Sequence, residues 1–130
     1  MAKRGRDARE KAYRAGLVAE GLAAFWLRLK GWRVLARRYR APGGEIDIIA
    51  RRKDVIAFVE VKARRDFDAA LLAISPANQR RIAAASRSWL AANPKAAGRT
   101  YRFDAVLISP RRLPRHVENA FEAGGGSFLP

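Results

Sequence analysis

The sequence predicts one α/β domain in which helices flank a sheet. Two runs, GEIDIIA at residues 44–50 and FVEVK at residues 58–62, are short and rich in isoleucine and valine, as strands are. Segments with the 3.6-residue periodicity of amphipathic helices lie before and after these runs. With 130 residues, the chain has the length of a single domain with its own hydrophobic core.

The N-terminal third predicts a basic tail followed by a helix. We expect a flexible tail over residues 1–11, one domain over residues 12–123 and a flexible segment over residues 124–130. The helical pattern runs from about residue 8 to residue 30, where Gly31 ends it. Its apolar residues form two stripes, and we expect both in the core: Tyr13, Leu17, Ala24 and Leu27, and next to them Val18, Leu22, Phe25 and Leu29. Glu20 lies on the first stripe, where it either reaches solvent from the edge of the core or points at a positive charge.

The two isoleucine- and valine-rich runs predict a β-hairpin that follows a first strand at residues 32–39. If Lys53 and Asp54 form a two-residue loop, Arg52 faces Val55 across the hairpin. The same register places Asp47 opposite Glu60 and Glu45 opposite Lys62. One face of the hairpin then carries these charged residues with Ile49 and Phe58, whereas the other is apolar and suits a core: Ile46, Ile48, Ala50, Ala57, Val59 and Val61.

The charged face has two interpretations that the hairpin alone leaves open. Like charges directly opposite each other destabilise a sheet, so a divalent cation held by Asp47 and Glu60 would account for the pair. Lys62 beside them would then hold a phosphate oxygen or orient an attacking water. Alternatively, the face is solvated, with Glu45 paired to Lys62 and the other two acids in water.

Residues 64–68 predict a polar connection, and a second helix follows it. Ser75 is a typical N-cap and Pro76 suits the first helical position, so we expect a helix to about residue 92. Its inward residues are Ile82, Ala85, Trp89 and Leu90, and its outward residues are Arg80, Arg81 and Arg87. A further strand is expected over residues 99–109, and residues 116–123 form a strand end or one helical turn. Between them lies a basic cluster of Arg111, Arg112 and Arg115.

The charge balance favours a polyanionic partner. The chain carries 27 lysine and arginine residues against 12 acids, a net charge of +15. Such a field attracts nucleic acid, the ribosome or an anionic membrane surface. An arginine-rich coding bias would explain why arginine replaces lysine, but it would not explain the scarcity of acids. Because both apolar stripes of the first helix are expected in the core, membrane binding is not expected.

Composition also limits the chemistry and the compartment. The chain has no cysteine, which excludes disulfides and thiolate metal sites, and His116 is its only histidine. No apolar run approaches the roughly 20 residues that span a bilayer. A reducing compartment suits such a chain, and we expect the cytoplasm.

The order of these elements resembles the PD-(D/E)xK restriction-endonuclease-like superfamily. Glu20 on a helix, Asp47 on a strand and the run Glu60-Val61-Lys62 on the next strand carry this resemblance. The runs GEIDIIA, FVEVK, RFD at residues 102–104 and ENAF at residues 118–121 look like the YraN-like family of small bacterial proteins. This closer resemblance covers residues 16–121.

The resemblance implies a mixed four-stranded sheet flanked by helices, and a metal site. Asp47 and Glu60 would bind Mg²⁺ or Mn²⁺, with the carbonyl of Val61 as a third ligand, while Lys62 orients the water and Glu20 completes the site. Candidate nucleic-acid contacts are Arg64 and Arg65 beside the charged face and, on the second helix, Gln79, Arg80 and Arg81. Asn78 departs from the pattern, because relatives often carry lysine there.

These features together favour a metal-dependent nuclease that hydrolyses phosphodiester bonds, structure-selective on DNA and including branched or junction DNA. DNA is favoured over RNA as the partner, and a homodimer would allow both strands of a duplex to be cut. The alternative is a non-catalytic nucleic-acid-binding module on the same fold, acting in DNA repair or on ribosomal RNA. The basic surface serves both hypotheses, so only the three acids, Glu20, Asp47 and Glu60, discriminate between them.

Overall fold

The computed structural model describes residues 2–96 and 98–122, which form a five-stranded mixed sheet with α-helices on both faces. The α-helices are α1 (Ala2–Leu29), α2 (Phe67–Leu72) and α3 (Pro76–Ala92), and a short 3₁₀ helix follows at Pro94–Ala96. The strands are β1 (Arg33–Ala41), β2 (Gly44–Arg52), β3 (Val55–Ala63), β4 (Thr100–Ile108) and β5 (Arg115–Val117). The predicted α/β class is confirmed, with one short strand more than the four expected.

The strands follow one another across the sheet in chain order. β1, β2 and β3 are joined as antiparallel neighbours, β4 pairs parallel to β3, and β5 pairs antiparallel to β4. A parallel pair requires a long crossover, and α2, α3 and the 3₁₀ helix provide it. The crossover places α3 over one face of the sheet, against β1 and β2, while α1 packs on the sheet from its other side.

Both faces of the sheet are therefore core. Under α3 lies an aromatic cluster whose buried members include Ile49, Ile56, Phe58, Ile82, Ala85, Trp89 and Phe103. Under α1 lies an aliphatic cluster whose buried members include Ala23, Ala24, Leu27, Trp32, Ile48, Ala50, Val59 and Val106. The predicted inward face of α3 is confirmed, as are its N-cap Ser75 and its end at Ala92.

From Arg52 to Ile48 the hairpin has the predicted register, but the predicted pairs Asp47–Glu60 and Glu45–Lys62 lie beyond the last backbone pair. Arg52 pairs with Val55, and the pairs continue to Ile48 opposite Val59. One part of the predicted face assignment is wrong: Ile46 packs in the cluster under α3 together with Ile49, not beside Ile48 under α1. The alternation of faces along β2 therefore breaks between Ile46 and Ile48. At this point of the neighbouring strand β1 lies Arg38, between the partners of these two residues, with a φ of 54°. A non-glycine residue in the left-handed region interrupts strand alternation, so the faces exchange there.

The first helix differs from the prediction in two ways. It begins at Ala2, so the segment expected to be a tail is helical, which suits its alanines, arginines and lysines and the ion pair between Glu10 and Arg14. The second stripe is exposed, since Val18, Leu22, Phe25 and Leu29 are between 48% and 63% accessible, and so is Tyr13 of the first stripe, at 57%. Because these residues are exposed, the stripe gives no reason to exclude binding to a membrane surface.

The short strand β5 is held against β4 by a buried carboxylate. Asp104 is fully buried, accepts two hydrogen bonds from Nε of Arg102 at 2.9 and 3.1 Å, and lies 2.7 Å from Nε2 of His116. The backbone N–H of Asn119 donates to it at 3.1 Å. Burial raises the pKa of Asp104, but these hydrogen bonds more than offset burial and leave the pKa below its ordinary value.

No helix in the described part of the chain is sufficiently long and apolar to cross a membrane.

Candidate active site at the ends of β2 and β3

A cavity of about 680 Å³ opens where α1, the first residues of β2, the last residues of β3 and the start of α3 meet. Its wall contains every residue predicted for catalysis or metal binding: Glu20, Asp47, Glu60, Val61 and Lys62. Elements that are far apart in sequence thus bring these five residues to one place. Small residues of α1, among them Ala15 and Gly16, form the opposite side of the opening.

The side chain of Asp47 is held in place by a backbone hydrogen bond at the end of the hairpin. Its Oδ2 accepts a hydrogen bond of 2.8 Å from the backbone N–H of Val61. The backbone pairs between β2 and β3 stop at Ile48 and Val59, just before Asp47. The carboxylate therefore supplies the acceptor that Val61 would otherwise find in the neighbouring strand, which holds Asp47 beside the following residues of β3.

Glu60 is the most buried carboxyl group of the cavity wall, with 6% of its surface exposed. Burial, then a hydrogen bond with Asp47 and the negative charge of Asp47, raises the pKa of Glu60 to about 9. The charge of Lys62 and a hydrogen bond with Asn78 oppose this increase. Two carboxyl groups at such close range share a proton unless a cation replaces it.

Glu20 approaches the pair from α1. Its carboxylate lies 3.8 Å from Nε of Arg38, and burial, followed by the charge of Asp47, raises its pKa. Its Oε1 is buried without a hydrogen-bond partner among the described residues, and so is Oδ1 of Asn78. Both residues line the cavity, and buried oxygens without partners are unfavourable unless a water or an ion satisfies them.

The oxygen donors of Asp47 and Glu60 fit a hard divalent cation, but two side chains alone do not complete its coordination. Asp47 and Glu60 offer carboxylate oxygens, which are the ligands that Mg²⁺ and Mn²⁺ prefer. Nowhere in residues 2–96 and 98–122 do three histidine, cysteine, aspartate or glutamate side chains come together as a metal-binding group. Glu20 is thus near the pair without joining it, and a cation here would take its other ligands from backbone, water or substrate oxygens.

Lys62 lies on the wall of the cavity, as predicted. The alternative pairing of Glu45 with Lys62 is not found, because Glu45 forms its ion pair with Arg40 at 3.6 Å. Lys62 has no carboxylate within ion-pair distance among the described residues. Its ammonium group is accordingly available to a ligand in the cavity.

The predicted nucleic-acid contacts divide into two groups. Arg64 and Arg81 line the cavity. The structure does not bring Arg65, Gln79 or Arg80 to it: the amide of Gln79 donates to the carbonyl of Ile74 at 3.4 Å, and Nε of Arg65 lies 3.7 Å from Asp66. Gln79 therefore serves the start of α3 rather than a ligand.

Sequence reasoning missed Asn78 as a member of the site. Its backbone N–H donates to the N-cap hydroxyl of Ser75, which fixes the first turn of α3, and its amide interacts with Glu60. The N-cap places Asn78 in the first turn of the second helix, but the sequence does not show that this turn meets Glu60. In the sequence Asn78 is only a departure from the lysine of relatives, whereas in the structure its side chain contacts Glu60.

The fold is a mixed sheet with helices on both faces, and it carries an acid on one strand and Glu-x-Lys on the next. This is the arrangement that the resemblance to the restriction-endonuclease-like superfamily implies. A family model described as "Uncharacterised protein family UPF0102" matches residues 19–108. The chain belongs to this family, in agreement with its resemblance to YraN-like proteins.

Relatives in several bacteria are similar over most of their length. A UPF0102 protein of Bradyrhizobium diazoefficiens is 56% identical over 115 residues, covering 88% of this chain and 86% of the relative. One from Methylorubrum extorquens is 56% identical over 117 residues, with 90% and 91% covered. One from Nitrobacter winogradskyi is 55% identical over 115 residues, with 88% and 98% covered.

Proposed function

We propose that this protein is a metal-dependent nuclease that hydrolyses phosphodiester bonds, with DNA as the preferred substrate and branched or junction DNA included. The observation that supports it most is the pairing of Asp47 with the buried Glu60 at the mouth of a cavity that also contains Lys62. A buried acid whose proton affinity is raised by burial and by a neighbouring acid, in a chain of net charge +15, is better explained by a cation site than by a solvated surface.

In this proposal Asp47 and Glu60 hold Mg²⁺ or Mn²⁺, with the carbonyl of Val61 as a further ligand. When bound, the ion supplies Lewis-acid polarisation of a phosphoryl oxygen and lowers the pKa of a coordinated water. Because both acids must be ionised to act as ligands, Glu60 would release the proton that it otherwise retains when it holds the ion.

The other residues of the wall have roles that follow from their positions. Lys62 orients the attacking water or holds a phosphate oxygen, and Arg64 and Arg81 stabilise the negative charge that develops on the phosphate. Glu20, whose pKa is raised by burial, accepts a proton from the attacking water or completes the second coordination sphere. A single site cuts one strand at a time, so cutting both strands of a duplex would require a homodimer.

The test is a cleavage assay on labelled linear duplex, single-stranded, flap and four-way-junction DNA with Mg²⁺ or Mn²⁺. Removal of the metal by chelator is expected to stop cleavage. Asp47→Ala and Glu60→Ala should each reduce the rate by at least about a hundredfold while DNA binding persists, since loss of a charge-stabilising group costs about that much. Asp54→Ala, in the exposed hairpin loop, is the matched control. Wild-type rates in purified Asp47→Ala would refute the assigned site.

A second candidate is a nucleic-acid-binding module without catalysis. It is favoured by one observation: the described residues contain no group of three metal-ligating side chains. The module hypothesis predicts that no DNA in the panel is cut with either metal. It further predicts that Asp47→Ala binds DNA no less tightly than the wild type, because the variant has one acid fewer near the phosphate.

A further inference from the structure

A second concave surface, a basic groove of about 720 Å³, lies outside the candidate active site. Its cationic lining residues are Lys30, Arg52, Arg111, Arg112 and Arg115, and Glu118 is its one acid. Glu118 pairs with Arg52 and Arg102. Among the described residues, the other four cations of the groove lie within ion-pair distance of no carboxylate. The groove therefore presents four uncompensated positive charges to a ligand.

Aromatic rings lie against three of these four cations. The guanidinium groups of Arg112 and Arg115 lie 4.6 and 4.5 Å from the ring centre of Phe67, and Lys30 lies 4.6 Å from that of Trp26. Phe67 is itself 7% exposed and begins α2, which is capped by the side chain of Asp66. Stacking of this kind limits the rotamers of the arginines, so less entropy is lost when they bind an anion.

The backbone of the groove is also unusual. Arg111 has a φ of 62°, a left-handed conformation that costs a non-glycine residue stability. A glycine would adopt it without this cost. An arginine here therefore adds a positive charge to the groove, although glycine would be less strained at this backbone conformation.

The groove is continuous with the candidate active site. A depression of about 500 Å³ lies between them and shares Ala63 and Arg64 with the active-site cavity. At its other end it shares Arg111, Arg112 and Pro114 with the groove. Its remaining lining is largely apolar and includes Leu22 of the exposed stripe on α1. A track thus runs from the acids of β2 and β3, past Arg64, to the basic groove.

We propose that this track binds a single-stranded DNA arm that continues from the cleavage site, with its phosphates in the basic groove and its sugars and bases over the apolar depression. The inference rests on the proposed function, which places a phosphodiester at Asp47 and Glu60. A single strand is flexible and can follow a concave path that passes from an apolar surface to a basic one. A duplex has a persistence length of about 150 base pairs, so it stays straight over the length of the track. The substrate class is therefore duplex DNA with a single-stranded arm, such as a flap or a splayed end.

The test measures binding in chelator, where no cleavage occurs. Fluorescence anisotropy compares a labelled duplex of about 20 base pairs with the same duplex bearing an arm of about 15 nucleotides. The groove variant Arg111→Gln/Arg112→Gln/Arg115→Gln should bind the armed duplex at least about tenfold more weakly, with a salt slope smaller by about 2, while binding of the blunt duplex changes by less than about threefold. The control Arg33→Gln/Arg87→Gln/Lys95→Gln removes the same charge from exposed positions outside the track.

If both triple variants weaken both DNAs to the same extent, the groove contributes only general charge and the proposal is wrong. Circular dichroism reports whether the groove variant folds. If it does not fold, Arg111→Gly replaces it as the test, because this variant removes one charge and relieves the left-handed strain. Arg111→Gly should weaken binding of the armed duplex alone, by about threefold. A wild-type protein that binds the arm through the groove but cuts no DNA would refute the nuclease and retain the track. A protein that cuts DNA but shows no arm-dependent binding would refute the track and retain the nuclease.

Discussion

At the scale of single residues, the pair of Asp47 and Glu60 dominates the behaviour of the protein. The hydrogen bond from Val61 fixes Asp47 next to a carboxyl group that has almost no solvent around it. Without a cation, the two groups coexist because Glu60 keeps its proton. Stability, proton binding and metal binding are consequently coupled at one place, and each can be measured without a substrate.

Replacement of Asp47 by asparagine should stabilise the metal-free protein. Asp47→Asn retains an acceptor for Val61 and removes the charge that repels Glu60 once Glu60 loses its proton; at or above about pH 9 this is worth on the order of 1 kcal/mol, or about 4 °C in the melting midpoint. Thermal melts in chelator measure this shift. Mg²⁺ or Mn²⁺ should raise the midpoint of the wild type and that of the variant much less.

The matched control is Asp54→Asn, whose carboxylate is 91% exposed and faces Arg99 at 3.3 Å. It should not melt higher than the wild type. Equal midpoints for Asp47→Asn and wild type in chelator, with the same metal response, would support the binding module.

The pKa of Glu60 predicts how stability depends on pH. The folded state holds the proton to about pH 9, whereas an ordinary glutamate releases it near pH 4.5. Folding therefore takes up a proton between these values, so the stability associated with this group is fully present below about pH 4.5 and is lost as the pH rises toward 9. In chelator, the unfolding free energy of wild type relative to Glu60→Gln should fall by up to about 1.4 kcal/mol per pH unit in this window.

Urea unfolding at about pH 6, 7 and 8 tests this expectation. Glu10→Gln, on the exposed start of α1, is the control and should follow the wild type. Parallel curves for wild type and Glu60→Gln would show that Glu60 is ionised in the folded protein and that Asp47 does not share its proton.

At the scale of elements, the close approach of α3 to β2 positions the site. A Cβ at Gly44 would collide with the backbone carbonyl of Arg81 on α3, in the helix that also carries Asn78. Gly44→Ala should destabilise the protein by about 1–3 kcal/mol in urea unfolding, because backbone atoms must move to admit the methyl group. Gly98→Ala, where the added carbon has no atom within 4 Å, should be nearly neutral. Equal stability of the two variants would argue against the tight contact.

The elements also show which features the sequence could predict. The hairpin register followed from one assumption about its loop, because every later pair depends on that loop alone. The buried side of α1 did not follow from periodicity, which identified two adjacent apolar stripes without ranking them. The structure buries Ala19, Ala23, Ala24 and Leu27. Small side chains let the helix approach the sheet closely, and the larger residues of the neighbouring stripe remain outside.

The carboxylates of the site were predictable because strand position and charge both indicated them. The contributions of Asn78 and of the basic groove were not, since each depends on how distant segments meet. Asp104 likewise lies in the strand predicted over residues 99–109, but no partner was predicted for it, although Arg102, His116 and Asn119 surround it. Two of these partners, His116 and Asn119, come from residues 115–122, where the sequence carries no strong periodic pattern.

At the scale of the whole molecule, the positive charge should determine affinity for nucleic acid. The exposed cations extend from the active-site cavity, through Arg64, to the basic groove, where they can contact phosphates whatever the base sequence. We therefore expect binding that depends on salt and hardly on sequence. If roughly six phosphates are contacted, affinity should fall about a thousandfold between about 50 and 200 mM salt. Titrations of two DNAs of equal structure and unrelated sequence, in chelator, measure both properties. A flat salt response, or strong preference for one sequence, would mean that base contacts rather than phosphate contacts carry the recognition.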